Sequence, residues 1–204
     1  MIWGVKKTLF PEKQNRPDVI IKRANWQKIM WHKFLKRLRF IDESGIDCAL
    51  TRLYGRAPKN ERVKDYVPDC RFKRKSVLAC LGMEREIVSL LYDGTLDGKL
   101  FLQYIEEFLA PTLLHGDIVV MDNATPHKVK GVREAIEARG AKAWYLPVYS
   151  PDFNPVELLW TKVKAFLKKM KARTDEALEK ALELALNSVG KSDLANWFNH
   201  CGYY

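Results

Sequence analysis

Residues 117–146 read DIVVMDNATPHKVKGVREAIEARGAKAWYL, and this stretch decides the fold class. The apolar run Ile118–Met121 predicts a buried strand, and 143–146 (AWYL) predicts another. Between them, the segment 128–139 has helical periodicity and is followed by Gly140, a residue type that commonly ends helices. Two strands joined through a helix are typical of parallel neighbours in one sheet.

A run of antiparallel strands is predicted on the N-terminal side of this stretch. Strand-like segments lie at 39–42 (RFID), 48–54, 76–83 and 86–92. The turn-forming sequence 43–45 (ESG) closes the first of them, and a helix is predicted over 98–110. On the C-terminal side, 155–170 and 174–189 show helical periodicity. The order of elements predicts an α/β fold, in which a mixed sheet of three antiparallel strands followed by parallel strands is flanked by helices.

Composition indicates a globular chain in two parts. Of its 204 residues, 47% are hydrophobic, which is enough to build a core and excludes a disordered tail. Residues 1–37 are predicted to form a basic linker and an amphipathic helix (17–37), and residues 38–204 the main domain with C-terminal helices. No apolar run reaches the roughly 20 residues that span a bilayer, and no apolar stretch follows Lys6 and Lys7, so no secretory signal is expected. We therefore expect a cytoplasmic protein without a membrane partner.

The positive charge is clustered. The chain has a net charge of +10, and residues 1–40 hold eleven Lys or Arg side chains against only two acids. Such stripes favour polyanions, because neutralising phosphates releases condensed counterions. A solvated basic surface without a partner accounts for the charge alone equally well. The candidate DNA-binding residues come from two further clusters: Arg71, Lys73, Arg74, Lys75, Lys162, Lys164 and Lys168.

Three carboxylates lie where a cleft is expected. Asp42 ends the first predicted strand, Asp122 ends the strand IVVMD, and Glu157 lies in the first turn of a long helix. Side chains at strand ends are presented to clefts in sheets of this kind. Carboxylate oxygens are the ligands that Mg²⁺ prefers, and a pair of such ions can stabilise the attacking and leaving oxygens of a phosphodiester.

Each carboxylate also has a structural explanation. Asp42 and Asp122 can shape the turns that follow them, because Asp readily bonds nearby backbone amides. Glu157 occupies the capping-box position of a helix that has Asn154 as its N-cap and Pro155 as its first residue. The sequence by itself does not show that the three side chains converge.

Several sequence blocks, in order, resemble the DDE transposases of the insertion-sequence-630 and mariner group. Residues 40–45 (FIDESG) and 52–58 (RLYGRAP) resemble the first block and the segment after it. Residues 119–127 (VVMDNATPH) and 146–164 (LPVYSPDFNPVELLWTKVK) resemble the second and third blocks, and 34 residues separate Asp122 from Glu157, as in the bacterial members. The tail 197–203 (WFNHCGY) is also similar. Val148 departs from the proline that the group commonly has there.

The resemblance implies a ribonuclease-H-like DDE catalytic domain over 38–204, with Asp42, Asp122 and Glu157 as both the catalytic residues and the ligands of two Mg²⁺ ions, for which Mn²⁺ can substitute. The implied activity is DNA cleavage at transposon ends and strand transfer into target DNA, usually at TA. The implied partners are DNA, a second copy of the chain on that DNA, and an upstream helix-turn-helix product, since relatives usually begin with such modules. The protein would be nucleoid-associated when bound to DNA.

Four residues are candidates for supporting roles. Asn123 and His127 fall in the matching block, and His127 can contact a phosphate or simply pin its loop. Glu43 neighbours Asp42 but should point to the other side if the strand continues through it. Asn154 is expected to cap the Glu157 helix. The alternative function is a catalytically idle remnant that binds DNA non-specifically through its basic face.

Overall fold

A single five-stranded sheet organises the chain. The computed structural model describes residues 12–30, 35–52, 54–68, 74–84 and 86–204. The strands are β1 (Leu38–Ile46), β2 (Lys75–Gly82), β3 (Val88–Asp93), β4 (Ile118–Met121) and β5 (Lys142–Tyr145). Their order across the sheet is β3-β2-β1-β4-β5. The first three pair antiparallel, and β4 and β5 add in parallel to β1, so the predicted mixed sheet is confirmed.

Six α-helices accompany the sheet in the described part of the chain. Their bounds are α1 (Pro17–Met30), α2 (Gly98–Gln103), α3 (Val132–Glu137), α4 (Val156–Met170), α5 (Asp175–Asn187) and α6 (Lys191–His200). A π-helical turn, Tyr104–Leu109, continues α2. None of the described helices is long and apolar enough to cross a bilayer.

Helices bury both faces of the sheet. Strand side chains alternate between faces, so Phe40 packs in a core with α1, α4, α5 and α6, whereas Ile41 packs in a second core with α2 and α3. The strand β2 is buried along its whole length, as expected of a strand covered on both sides. Trp26 and Met30 of α1 belong to the first core; the predicted boundary at residues 37 and 38 stays a prediction.

The first strand is longer than predicted, and one predicted strand is wrong. The residues 43–45 do not turn; they continue β1, which pairs with β2 as far as Ile46↔Lys75. Because β2 and β4 occupy both edges of β1, the predicted strand 48–54 cannot pair with β1. Residues 47–52 and 54–68 instead form an irregular connection, called here the β1–β2 arm.

Two helix predictions also need correction, and one helix was not predicted. The predicted helix 128–139 is shortened to α3, because Pro126 starts a 3₁₀ turn and Gly131 has φ 101°. The predicted helix 17–37 ends at Met30 in the described residues; positions 31–34 lie outside them, and 35–37 form a 3₁₀ turn. The helix α6 was not predicted, although its cap is readable: the amide of Gly190 donates to Asp193 Oδ2 at 2.9 Å.

Candidate active site

Two parallel strands bring the first two carboxylates to one edge of the sheet. Phe40 on β1 is in register with Val120 on β4. Asp42 and Asp122 each lie two residues further along, so the two positions are equivalent on neighbouring strands. Asp42 shares the face of Phe40, which is the face that α4 covers.

The third carboxylate reaches this edge from the start of α4. The side chain of Asn154 accepts a hydrogen bond from the amide of Val156 at 3.2 Å, as a helix cap does. The amide of Asn154 donates to the carbonyl of Pro151 at 2.9 Å. Because that amide already has an acceptor, Glu157 is not needed to complete a capping box.

Asp42, Asp122 and Glu157 line one cavity of about 330 Å³. Asn123 and Asn154 line it too, together with residues of the loop 146–151. A larger groove of about 720 Å³ lies elsewhere, between β3 and the helices α5 and α6, and its charged lining is mainly acidic. We place the candidate site at the smaller cavity, because the chemistry of the carboxylates is there.

The electrostatics of the cavity show that the carboxylates interact. Burial, followed by the charge of Glu157, raises the pKa of Asp42 to about 7, and Asp122 adds to the effect. Burial also raises the pKa of Glu157, although Lys164 opposes the shift. Carboxylates that repel one another in a partly buried pocket favour a cation among them.

Asp122 is oriented by His127. Its Oδ1 lies 2.6 Å from Nδ1 of His127, a ring that is buried and packs against Phe101 with centroids 4.3 Å apart. This contact is close but is not aligned as a hydrogen bond. Burial acts to raise the pKa of Asp122, but His127 and the amide of Ala124 outweigh it and hold the pKa below its usual value. Asn123 pins the same loop by donating to the carbonyl of Leu146 at 2.5 Å.

The side chains of Asp42, Asp122 and Glu157 do not converge on one point in this structure. Among the described residues, no three His, Cys, Asp or Glu side chains are close enough to hold a metal ion together. The donor set nevertheless fits a hard divalent cation, since it consists of oxygen ligands that repel each other across a cavity. Glu43 is not part of it: the side chain points to the opposite face of β1, where burial and Glu43 raise the pKa of Tyr92.

Sequence reasoning missed one part of the site, a clamp between α1 and the loop that precedes α4. Arg23 donates from Nη1 to Oδ1 of Asp152 at 2.9 Å and from Nη2 to Oδ2 at 2.6 Å. The same Nη1 donates to the hydroxyl of Ser150 at 2.7 Å, and the guanidinium lies 4.2 Å from the ring centroid of Phe153. Asp152 is visible in the block YSPDFNPVE, but nothing in the sequence indicates its partner at residue 23.

The basic candidates separate into engaged and free side chains. Lys75 is 11% exposed and bonds Glu179 at 2.9 Å, and Lys162 bonds Asp193 at 2.5 Å. These contacts argue against the predicted DNA-binding role of both. Lys164 and Lys168 make no ion pair with the described part of the chain. Arg74 lies exposed before β2. Arg71 and Lys73 lie outside the described residues.

Comparisons with known proteins agree with this architecture. The chain superposes on the Mos1 transposase of a paired-end complex with the left transposon end, at a TM-score of 0.79 and 18% identity over 98% of this chain and 63% of that one. A Mos1 mariner paired-end complex with Mn gives a TM-score of 0.78 at 17% identity, over 98% of this chain and 65% of that chain. The catalytic domain of Mos1 mariner transposase gives 0.64 at 16% identity, over 97% and 91%. The predicted ribonuclease-H-like fold is thereby confirmed.

The chain therefore spans about 63% of the length of the Mos1 transposase in the paired-end complex. No protein with a curated function matches it in sequence. The family model of the DDE superfamily endonucleases matches residues 37–179, a range that contains β1 to β5 and all three carboxylates. Because that match covers well over half of the chain, the protein belongs to the DDE superfamily of endonucleases.

Proposed function

We propose that the chain is a transposase catalytic domain that cleaves DNA and transfers the freed strand, with two divalent metal ions held by Asp42, Asp122 and Glu157. The observation that carries the proposal is the one cavity that all three carboxylates line, one of them with its pKa raised to about 7. A surplus of negative charge at the end of two parallel strands serves no evident packing purpose, and it suits cations of the Mg²⁺ type.

Each protein group has a task that follows from its position. Bound divalent ions would stabilise charge on the attacking and leaving oxygens of an in-line displacement at phosphorus. Asp42 and Asp122 supply oxygens from the sheet, and Glu157 supplies them from the rigid start of α4. His127 holds the carboxylate of Asp122 towards its own loop.

The finer parts of the proposal concern substrate and assembly. Solved structures of Mos1 transposase include a paired-end complex with the left transposon end and a strand transfer complex. By analogy, we propose transposon ends as the donor, TA as the target, and a cytoplasmic, nucleoid-associated protein. A homodimer on DNA and a helix-turn-helix product that recognises the ends complete the proposal.

Plasmid nicking tests the enzymatic part. Wild-type protein and Asp122→Ala are incubated with supercoiled plasmid in Mg²⁺, in Mn²⁺ and in chelator. Nicking that needs a divalent ion and is lost in the variant supports the proposal. A second reaction supplies a short duplex with a free 3′-hydroxyl, and sequencing of the joined products reads the target preference.

The same assay distinguishes the proposed enzyme from the alternative, a catalytically idle remnant. DNA binding without nicking in any metal would support the idle remnant, a non-specific DNA-binding protein. Nicking that survives in Asp122→Ala would place the active site elsewhere and overturn the assignment of the three carboxylates.

A further inference from the structure

The helix α4 carries two lysines, on the face that bears Glu157, that form no ion pair within the described ranges. Lys164 and Lys168 follow Glu157 by seven and eleven residues, so at ~100° per residue both point within about 20° of its direction. Lys164 is near enough to oppose the rise in the pKa of Glu157. Lys162 points away and is held by Asp193 and by the carbonyl of Ser188. Positive charge therefore runs from the carboxylate cavity along one side of α4.

This line of charge ends in a second cavity, which we call the basic groove. Its volume is about 480 Å³, and it lies between the β1–β2 arm and the C-terminal end of α4. The lining residues are Thr51, Arg52, Tyr54, Gly55, Val63, Asp65, Val67, Lys168, Lys169 and Lys171. Four of these carry positive charge and one carries negative charge.

Contacts within the chain hold the arm against α4. Lys171 donates to both oxygens of Asp65 at 2.7 and 2.8 Å, which neutralises the one acid among the described lining residues of the groove. Arg173 donates to the carbonyl of Cys48 at 2.6 Å. Arg52, Lys168 and Lys169 make no ion pair with any described residue and are left to bind an external anion.

The groove also presents an aromatic ring to solvent. Tyr54 is 92% exposed, so packing does not account for its position. Exposed aromatic and cationic side chains together are typical of nucleic-acid surfaces, where the cations contact phosphates and the ring lies against sugars or bases. The groove is not typical of a protein-docking surface, since half of its ten described lining residues are charged.

We propose that the basic groove binds the backbone of duplex DNA about five base pairs from the phosphate at the carboxylate cavity. Eleven residues of helix separate Lys168 from Glu157 by about 16 Å along the axis, which matches about five steps of ~3.4 Å in one strand. The proposal that DNA binds here rests on the features of the groove alone. The spacing of five base pairs rests on the proposed function.

The binding test compares two double variants with equal loss of charge. Lys168→Ala with Lys169→Ala empties the groove of free α4 cations, whereas Lys180→Ala with Lys191→Ala removes two exposed lysines from α5 and α6. Affinity for a 30-base-pair duplex is measured against salt concentration. The groove variant should bind on the order of tenfold more weakly, with a salt slope smaller by about two, since each phosphate contact contributes about 0.9.

Equal salt slopes in the two variants would overturn the proposal, because net charge alone would then explain binding. Wild-type melting temperature in both variants shows that folding is unchanged. Arg52→Gln adds a third probe from the arm side and should weaken binding in the same sense. A competition with inorganic phosphate distinguishes duplex DNA from a small anion as the ligand of the groove. If 10 mM phosphate displaces the duplex from the groove at constant ionic strength, the groove is a small-anion site and the proposal fails.

A crosslinking test measures the spacing. Lys168→Cys, carrying a photoreactive group, is bound to an end-labelled duplex, and the crosslink is mapped relative to the nick made in Mn²⁺. A separation near five base pairs supports the proposal, and a separation of ten or more contradicts it. If no nick forms but the binding test succeeds, the proposed function fails while the groove stands.

Discussion

Arg23 and Asp152, which lie 129 residues apart in the chain, form a two-point ion pair at 2.9 and 2.6 Å. Both side chains are partly buried, at 18% and 33% exposed. The pair ties α1 to the loop that begins with Tyr149, a residue held at φ 59°, and ends at the cap of the Glu157 helix. A planar guanidinium bound at two points fixes direction as well as distance.

Substitution of this pair should loosen the third carboxylate. Arg23→Lys keeps the charge but loses the second hydrogen bond, and Asp152→Asn loses the charge. We expect each to lower the free energy of unfolding by about 1–3 kcal/mol, because a partner is left unpaired in a partly buried place. The double variant should lose less than the sum, with a coupling energy of about 1 kcal/mol or more in urea unfolding.

The exposed pair Arg16 and Asp18 serves as the control. Their side chains are 55% and 46% exposed, so Arg16→Lys should change stability by a few tenths of a kcal/mol at most. Strict additivity of the Arg23 and Asp152 effects would show that the two side chains do not stabilise the loop together.

Asp42 and Asp122 should affect stability with opposite signs as pH changes. The folded protein keeps the Asp42 proton to about pH 7, whereas the unfolded chain releases it near 3.8. The free energy of unfolding therefore falls between these values as pH rises, and stays low above pH 7. In chelator at pH 8, Asp42→Asn should be more stable than wild type, by roughly 1–3 kcal/mol after allowance for solvent.

The lowered pKa of Asp122 predicts the reverse. Its ionised form is favoured in the folded state, so it stabilises the protein above the unfolded pKa and ceases to do so as pH falls through the folded pKa. Asp122→Asn should thus be less stable than wild type at pH 8, with the difference shrinking in acid. Urea unfolding of both variants at pH 8 checks the signs, and the same sign for both would refute the assignment. At pH 5 the gain of Asp42→Asn should be smaller, whereas the loss of Asp122→Asn should shrink only below the unfolded pKa of 3.8.

His127 should matter for metal affinity more than for stability. The ring fixes the Asp122 carboxylate at 2.6 Å, and loss of such an orienting contact typically lowers metal affinity by about 10–100-fold. His127→Gln keeps a polar group of similar reach, so we expect it to lower Mn²⁺ affinity only slightly. His127→Phe should show the full loss of about 10–100-fold while keeping the packing on Phe101. Calorimetric titration with Mn²⁺ measures both. Unchanged affinity in His127→Phe would restrict the histidine to packing.

Much of the site was predictable because its residues lie directly at the end of a strand or the start of a helix, where the neighbouring sequence marks them. The sequence IVVMD places Asp122 directly after a buried strand, and Asn154-Pro155 marks the start of the Glu157 helix. The length of β1 was not predictable in the same way. Residues 43–45 have the composition of a turn, yet pairing with β2 across the whole strand overrides that local preference.

Contacts between distant segments were beyond sequence reasoning. Lys75 and Lys162 look like members of basic clusters, but their partners, Glu179 and Asp193, come close only after α5 and α6 pack. A single sequence shows the sign of a charge and its neighbours along the chain. Whether an opposite charge from a distant segment lies close enough to weaken its attraction for DNA depends on the tertiary structure.

The C-terminal tail should stabilise the loop that precedes α4 through buried hydrogen bonds. Tyr203 is buried, and its hydroxyl donates to the carbonyl of Phe153 at 2.7 Å and accepts from the indole of Trp26 at 3.1 Å. Tyr203→Phe leaves a buried donor and a buried acceptor unpaired, which should cost about 1–3 kcal/mol for each. Tyr66→Phe, at a side chain that is 93% exposed, removes the same atom without that cost. In urea unfolding, the free energies of unfolding of the two variants should therefore differ by at least about 1 kcal/mol. A difference near zero would mean that water takes over the hydrogen bonds of the Tyr203 hydroxyl.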